Sequence, residues 1–167
     1  VLQSPADDGV LEMVIRRPAI DERELLELAE LNVEEGVAGD TWNQRGSRRT
    51  DDGSPHPDMQ LNVMNARMVD LVAGDRARWP LAGDQLYVDF DITAANVPPG
   101  TRLAIGSAVI EVTDQPHTGC AKFTQRFGLE AHRFVNSPER RELHLRGINA
   151  KVVQPGEVRP GDRIKKV

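Results

Sequence analysis

Leu103-Ala104-Ile105-Gly106-Ser107-Ala108-Val109-Ile110-Glu111-Val112 is the stretch that decides the fold class. Two short aliphatic runs flank a Gly-Ser pair, which reads as two strands, Leu103 to Ile105 and Ala108 to Val112, on either side of a turn. The same punctuation recurs outward. Upstream, Leu86, Val88 and Phe90 alternate with Tyr87 and Asp89, and Leu61 to Met64 reads as a strand before a helix started by Asn65 and closed by Gly74. Downstream, Leu143 to Leu145, Ile148 to Val153 and Arg163 to Val167 read as strands, with Gly147, Pro155-Gly156 and Pro160-Gly161 as turns. A helical segment is predicted from Ala121 to Val135, interrupted near Gly128. Many short strands with few helices predict a mainly antiparallel, mainly β barrel with two or three helices, not a doubly wound parallel sheet.

The N-terminal third is less uniform. Residues 1–9 read as a flexible tail, and Val10 to Arg16 as a strand stopped by Pro18. Asp21 and Glu24 have capping-box spacing, and Ile20 with Leu25 could form a hydrophobic staple. With Leu25, Leu28, Ala29 and Leu31 opposite Glu27 and Glu30, they predict a helix. Residues Gly36 to Pro57 hold four glycines, two prolines and a run of Arg45, Arg48, Arg49, Asp51 and Asp52. A long loop in a compact domain tends to carry function, so this one is expected to border the functional cleft.

The 167 residues suit one domain, with 39% apolar and 28% charged residues. A formal charge of −5 argues against a nucleic-acid partner, and the apolar runs are too short to span a membrane. A single cysteine, Cys120, precludes an intramolecular disulfide framework and points to the cytoplasm. P-loop, G-x-G-x-x-G, G-x-S-x-G and H-E-x-x-H motifs are missing, which removes the usual routes to phosphoryl and serine-type acyl transfer.

Chemistry concentrates in Pro116-His117-Thr118-Gly119-Cys120-Ala121-Lys122-Phe123. Cys120 follows a strand and a glycine and is predicted to open a helix, with His117 and Lys122 close in sequence; such surroundings favour a thiolate, as nucleophile or metal ligand. A lone cysteine is otherwise most often a small buried hydrophobe. His117 and Cys120 alone cannot make a closed zinc site, which needs four ligands, but one thiolate suffices for a metal held by an organic cofactor. Arg126, Arg133, Arg140, Arg141 and Arg146 follow the cysteine. Convergence of these with Arg45, Arg48 and Arg49 would make an anion site, whereas paired with nearby glutamates they would only solvate a face.

Several segments together resemble the MOSC domain, named for the C-terminal part of molybdenum cofactor sulfurase. They are Glu111-Val112-Thr113, His117 to Phe123, Arg126-Phe127-Gly128, Arg133 to Ser137, Leu145 to Ala150 and Gly156 to Ile164, with Gly36-Val37-Ala38-Gly39-Asp40 upstream. The resemblance runs from about Val33 onward, and the cysteine block is its most specific part. It implies a MOSC-type β-barrel with Cys120 at the mouth of a cleft. It further implies molybdenum cofactor binding, with Cys120 and His117 as catalytic residues and Cys120 as a molybdenum ligand. Lys122, Arg126, Arg133, Asn136 and the loop residues Arg45, Arg48 and Arg49 are then the expected cofactor contacts. Three functions stay open: a cofactor-dependent oxidoreductase acting on a small molecule, a persulfide carrier exchanging sulfur with a donor or acceptor protein through Cys120, and a non-catalytic binding barrel. Pyridoxal phosphate is not expected on this chain.

Overall fold

The computed structural model describes residues 1–167. Its strands are β1 (Asp8–Arg16), β2 (Glu24–Leu25), β3 (Ala29–Asn32), β4 (Gly36–Val37), β5 (Leu61–Asn65), β6 (Leu86–Asp89), β7 (Arg102–Ile105), β8 (Ala108–Val112), β9 (Ile148–Gln154), β10 (Gly156–Val158) and β11 (Arg163–Lys166). The α-helices are α1 (Ala66–Ala73) and α2 (Ala121–Val135). The stretch that decided the fold class pairs as expected, with Leu103 opposite Ile110 and Ile105 opposite Ala108. Seven strands run in the order β11-β7-β8-β9-β5-β6-β1, and β11 pairs with β1 to close the barrel. Only β5 and β6 are parallel. At the seam Ile164 lies opposite both Ile105 and Gly9. A Cβ on Gly9 would stand 2.4 Å from the Asp89 carbonyl oxygen and 2.9 Å from Ile164, so the absent side chain lets the strands close. The barrel is the mainly β, mainly antiparallel fold that the turn pattern predicts.

Two apolar clusters use the two faces of the same strands. Leu86 and Val88 of β6 point into the barrel with Leu11, Val63, Ile110 and Ile148, while Tyr87 points outward beneath α1 and α2 with Met64, Val69, Trp79 and Phe123. In β1 a bulge between Leu11 and Met13 resets the alternation, so Leu11 and Val14 share the interior and Met13 and Ile15 the exterior. This accounts for the apolar character of both faces of β1 in the sequence. Asn65 accepts from the Met68 N–H to cap α1, and Gly74 ends it in the left-handed region, as predicted.

The helix expected from Asp21 to Leu31 does not form. The segment makes β2 and β3 instead, with Ala29 and Leu31 opposite Val158 and Gly156. Ile20, Leu25 and Leu28 are 80%, 60% and 47% exposed, so the supposed staple and apolar stripe face water. Ala29 and Leu31 are buried with Glu30 outside, a period of two selected by the partner strands β10 and β4. Asp21, the expected cap, sits at φ 62°.

Other differences are local. Pro138–Leu143 is a 3-10 helix and no strand covers Leu143 to Leu145. Residues 36–57 begin with β4, and a 3-10 turn at Trp42–Gln44 lies within them. The N-terminal tail is shorter than residues 1–9, because β1 starts at Asp8. Ser4 is buried, its hydroxyl accepting from Asn65, and the Asp91 N–H donates to the Pro5 carbonyl.

Candidate functional site

The end of β1 meets the starts of β5 and β6, and the start of β9 arrives beside them from the opposite direction, with Leu86 and Ile148 both opposite Val63; the segment from β8 to α2 passes alongside. Hydrophobic packing cannot satisfy the polar groups gathered there, and a side-chain network does so. Arg17, just after β1, grips Asp40, just after β4: Nε and Nη2 donate to the two carboxylate oxygens at 3.0 and 2.7 Å, and the Arg17 N–H adds a third bond at 2.7 Å. Gln85 donates to Asp40 and to the Gln60 carbonyl, and accepts from the Asn62 N–H. Asn62 donates to Asn149, which donates to the Gln115 carbonyl and so ties down the segment leading to His117.

Beside this network Asp84 is completely buried. Arg146 Nη1 donates to both of its oxygens at 2.8 and 2.7 Å, and His117 Nε2 stands 2.7 Å from Oδ1. Burial alone would raise the Asp84 pKa, but the charge of Arg146 and the hydrogen bonds from His117 and Arg146 outweigh it and hold the carboxyl below its ordinary range. Burial, reinforced by Arg146, lowers the pKa of His117 despite the carboxylate, so its imidazole is neutral near pH 7. Arg146 also donates to the Ala82 carbonyl and stacks 5.0 Å from the Phe123 ring.

A different assembly surrounds Asp21. Lys122 Nζ and Arg126 Nη2 donate to the same carboxylate oxygen at 2.8 and 3.0 Å. Arg23, bonded to the Pro80 carbonyl, approaches Gly83 together with Arg126. Arg45, bonded to Thr41 at 2.8 Å, reaches the same neighbourhood from the long loop. Partial burial, then the neighbouring guanidiniums, lowers the pKa of Arg23 and Arg45, the mark of cations crowded together. Lys122 and Arg126 therefore share one exposed carboxylate, with Arg23 and Arg45 nearby.

Cys120 lies two residues before Lys122 in the chain. It is solvent-exposed, directly precedes α2, and its side chain makes no capping bond. The expected opening of a helix at Cys120 is present, and so is the interruption near Gly128, whose φ of 89° and ψ of 164° suit glycine alone. A straight helix of this length would run about 22 Å at ~1.5 Å per residue. Asn136 at its far end nevertheless bonds Gly119, accepting from its N–H at 2.8 Å and donating to its carbonyl at 3.2 Å. Gly128 thus folds the segment into two antiparallel arms, and Asn136 clamps the residue before the thiol. His132 Nε2 joins the same carbonyl at 3.0 Å.

Of the expected site residues, Lys122 and Arg126 meet on Asp21, and Arg45 lies near them. Arg49 instead bonds the Pro116 carbonyl and Gln115, strapping the long loop to the segment before His117. Arg48 and Arg133 are exposed and join neither assembly. His117 turns to Asp84 and makes no bond to Cys120. A cavity of about 560 Å³ lies beyond it, walled by Thr118, Asn136, Ser137, His144 and Arg146 among others. The sequence reading missed Asp84, Arg23 and Asp21; the signal for Asp84 was a charged residue in Gly83-Asp84-Gln85, just before an apolar strand. No three His, Cys, Asp or Glu side chains converge as a metal site, and no helix is long and apolar enough to cross a membrane.

Comparison with known proteins follows the architecture. The chain is similar in structure to the YuaD protein of Bacillus subtilis, with a TM-score of 0.66, 16% identity and 95% of each chain covered. It is also similar to YiiM of Escherichia coli, with a TM-score of 0.60 and 20% identity over 95% of this chain and 69% of that one. YiiM of Geobacillus stearothermophilus gives 0.61 and 13%, over 95% of this chain and 75% of that one. No curated protein matches the sequence. The family model of the MOSC domain matches residues 52–165, from the long loop through the closing strand β11, and the chain belongs to the MOSC domain family.

Proposed function

We propose that this MOSC domain binds molybdenum cofactor and serves as an oxidoreductase, with Cys120 as the one protein ligand to the metal. The observation that carries this reading is the pair of Lys122 and Arg126 on Asp21, with Arg23 and Arg45 nearby, on the helix that the exposed Cys120 opens. The donor set fits the group. Planar guanidiniums suit a phosphate, and a lone thiolate without further side-chain ligands suits a metal already held by an organic dithiolene. When bound, the cofactor supplies two-electron redox chemistry; the chain's cations would hold its phosphate, and Asn136 would fix the backbone that carries Cys120. The test is expression in a host that makes the cofactor, followed by metal analysis and fluorescence of the oxidised pterin. Molybdenum and pterin should copurify near one per chain and be lost in Cys120→Ser. Their absence from the unaltered protein overturns the reading.

The exposure of Cys120 supports a second reading, a sulfur carrier. Its thiolate attacks the outer sulfur of a donor protein's persulfide, the donor leaves as a thiolate, and no net oxidation occurs. A mass increase of one sulfur atom after incubation with such a donor, reversed by reductant and absent in Cys120→Ser, is the expected outcome.

A further inference from the structure

Gly119, the residue before the thiol, has both of its backbone polar groups held by side chains of the second arm of α2. Its N–H donates to Asn136 Oδ1 at 2.8 Å, which turns Asn136 Nδ2 toward the Gly119 carbonyl oxygen at 3.2 Å. His132 Nε2 lies 3.0 Å from the same oxygen and 3.0 Å from Asn136 Nδ2. His132 and Asn136 are four residues apart, so one face of the arm presents both. The arm lies close against the peptide. A Cβ on Gly119 would stand 3.1 Å from Asn136 Nδ2, 3.2 Å from His132 Cδ2 and 3.4 Å from Val135. No positive φ calls for this glycine; the close approach of the arm does.

The proton on His132 follows from its neighbours. A carbonyl oxygen only accepts and has two lone pairs, so it can take one hydrogen from Asn136 Nδ2 and one from His132 Nε2. A bare Nε2 accepting from Asn136 would instead set its lone pair against those of the carbonyl at 3.0 Å. Nε2 therefore carries the proton.

The consequence falls on Cys120. The carbonyl is one end of the Gly119–Cys120 peptide, and the other end is the Cys120 N–H, which donates to no protein atom. Two donors on the oxygen draw electron density toward it and leave that N–H more positive. It belongs to the residue that carries the sulfur, where nearby positive charge favours a thiolate. From the other side the Thr124 N–H donates to the Cys120 carbonyl at 3.1 Å, so the backbone of Cys120 is fixed from both directions at φ −108° and ψ 179°.

We infer that His132 is a positioning residue for Cys120, an Nε2–H donor that fixes and polarises the peptide carrying the thiol. This rests on the reading of Cys120 as the reactive group, in either of its proposed roles, and does not require the cofactor.

Cofactor-free protein tests it. With ¹⁵N-histidine labelling, long-range nitrogen–proton spectra should show His132 Nε2 protonated. Glutamine places its side-chain nitrogen where the imidazole has Nε2, so His132→Gln keeps the donor, whereas His132→Phe keeps a ring and removes it. At pH 7 iodoacetamide should alkylate Cys120 about threefold more slowly in His132→Phe, the lower end of one hydrogen bond's worth, and at the original rate in His132→Gln. A role confined to packing would give the opposite order, with the aromatic variant nearer the original protein. That order, equal rates in all three proteins, or a bare Nε2 on His132 overturns the inference. Because no molybdenum enters the measurement, a failure of the cofactor reading leaves its result standing.

Discussion

The charges at Asp84 and those around Asp21 are arranged on opposite principles. At Asp84 the carboxylate is 0% exposed and Arg146 is 6% exposed, with cation and anion matched by good geometry. At Asp21 the carboxylate is 60% exposed and shared among cations that exceed it. Desolvated charges must be paired, since leaving one alone in the interior costs several kcal/mol, whereas water screens an unpaired surface charge. The contrast separates what holds the barrel mouth together from what is left to bind. Arg17–Asp40 belongs to the first kind, with exposures of 8% and 0%.

The largest expected effect lies on the sealed side. Asp84→Ala strands Arg146 in the interior and should cost about 3–5 kcal/mol, a fall of roughly 10 °C in melting temperature for a domain of this size. The pH dependence carries the same signature. Both Asp84 and His117 have folded pKa values below their unfolded ones, so the unfolded state binds more protons as pH falls, and stability must fall with it. The His117 share is fully present above its unfolded pKa of about 6.5 and is lost below it; the Asp84 share goes below about 4. His117→Asn should flatten the upper part of that decline in denaturant titrations. A decline between pH 6.5 and 5 unchanged in the variant would break the assignment.

A middle-sized effect is expected at the hinge between the two regions. Gly128→Ala meets no neighbour within 4 Å, so its cost is backbone strain alone, about 1–3 kcal/mol. Relaxing that strain should straighten α2 and pull Asn136 from Gly119. Hydrogen exchange at the Gly119 amide should rise well before global unfolding. Protection equal to that of the unaltered protein would show that the clamp does not depend on the turn.

The smallest structural effect belongs to Asp21→Ala. Melting temperature should hold, while pyrophosphate, followed by calorimetry, should bind severalfold tighter and with a steeper salt dependence once the competing carboxylate is gone. Weaker binding would make Asp21 an organiser of the cations, not their placeholder.

Much of this was legible along the chain. Leu103–Val112 announced its strand pair because both halves are aliphatic and the break is Gly-Ser; Asn65 and Gly74 bounded α1 because capping is a local interaction. Gly128 was visible as a break, yet the return of Asn136 to Gly119 was not, since the direction taken after a glycine depends on what the second arm packs against. The segment at Asp21 misled for the same reason in reverse. Its local signals favour a helix, but β10, more than a hundred residues later, supplies backbone partners that a short, exposed helix could not match.

Sequence alone determined the strand-and-turn composition, the barrel class, the family resemblance and the uniqueness of Cys120, because these depend on residue type and spacing within a few positions. Tertiary structure alone decided which charges are sealed and which are left over. Arg146, Arg126 and Arg45 are indistinguishable as letters. Arg146 meets Asp84 because the first residues of β6 and β9, Leu86 and Ile148, both lie opposite Val63 of β5, while Arg126 reaches the exposed Asp21 from α2, with Arg45 of the long loop nearby. Burial fixes the difference, since the energy of a charge depends on the water and partners around it, and those are set by the closure of the barrel.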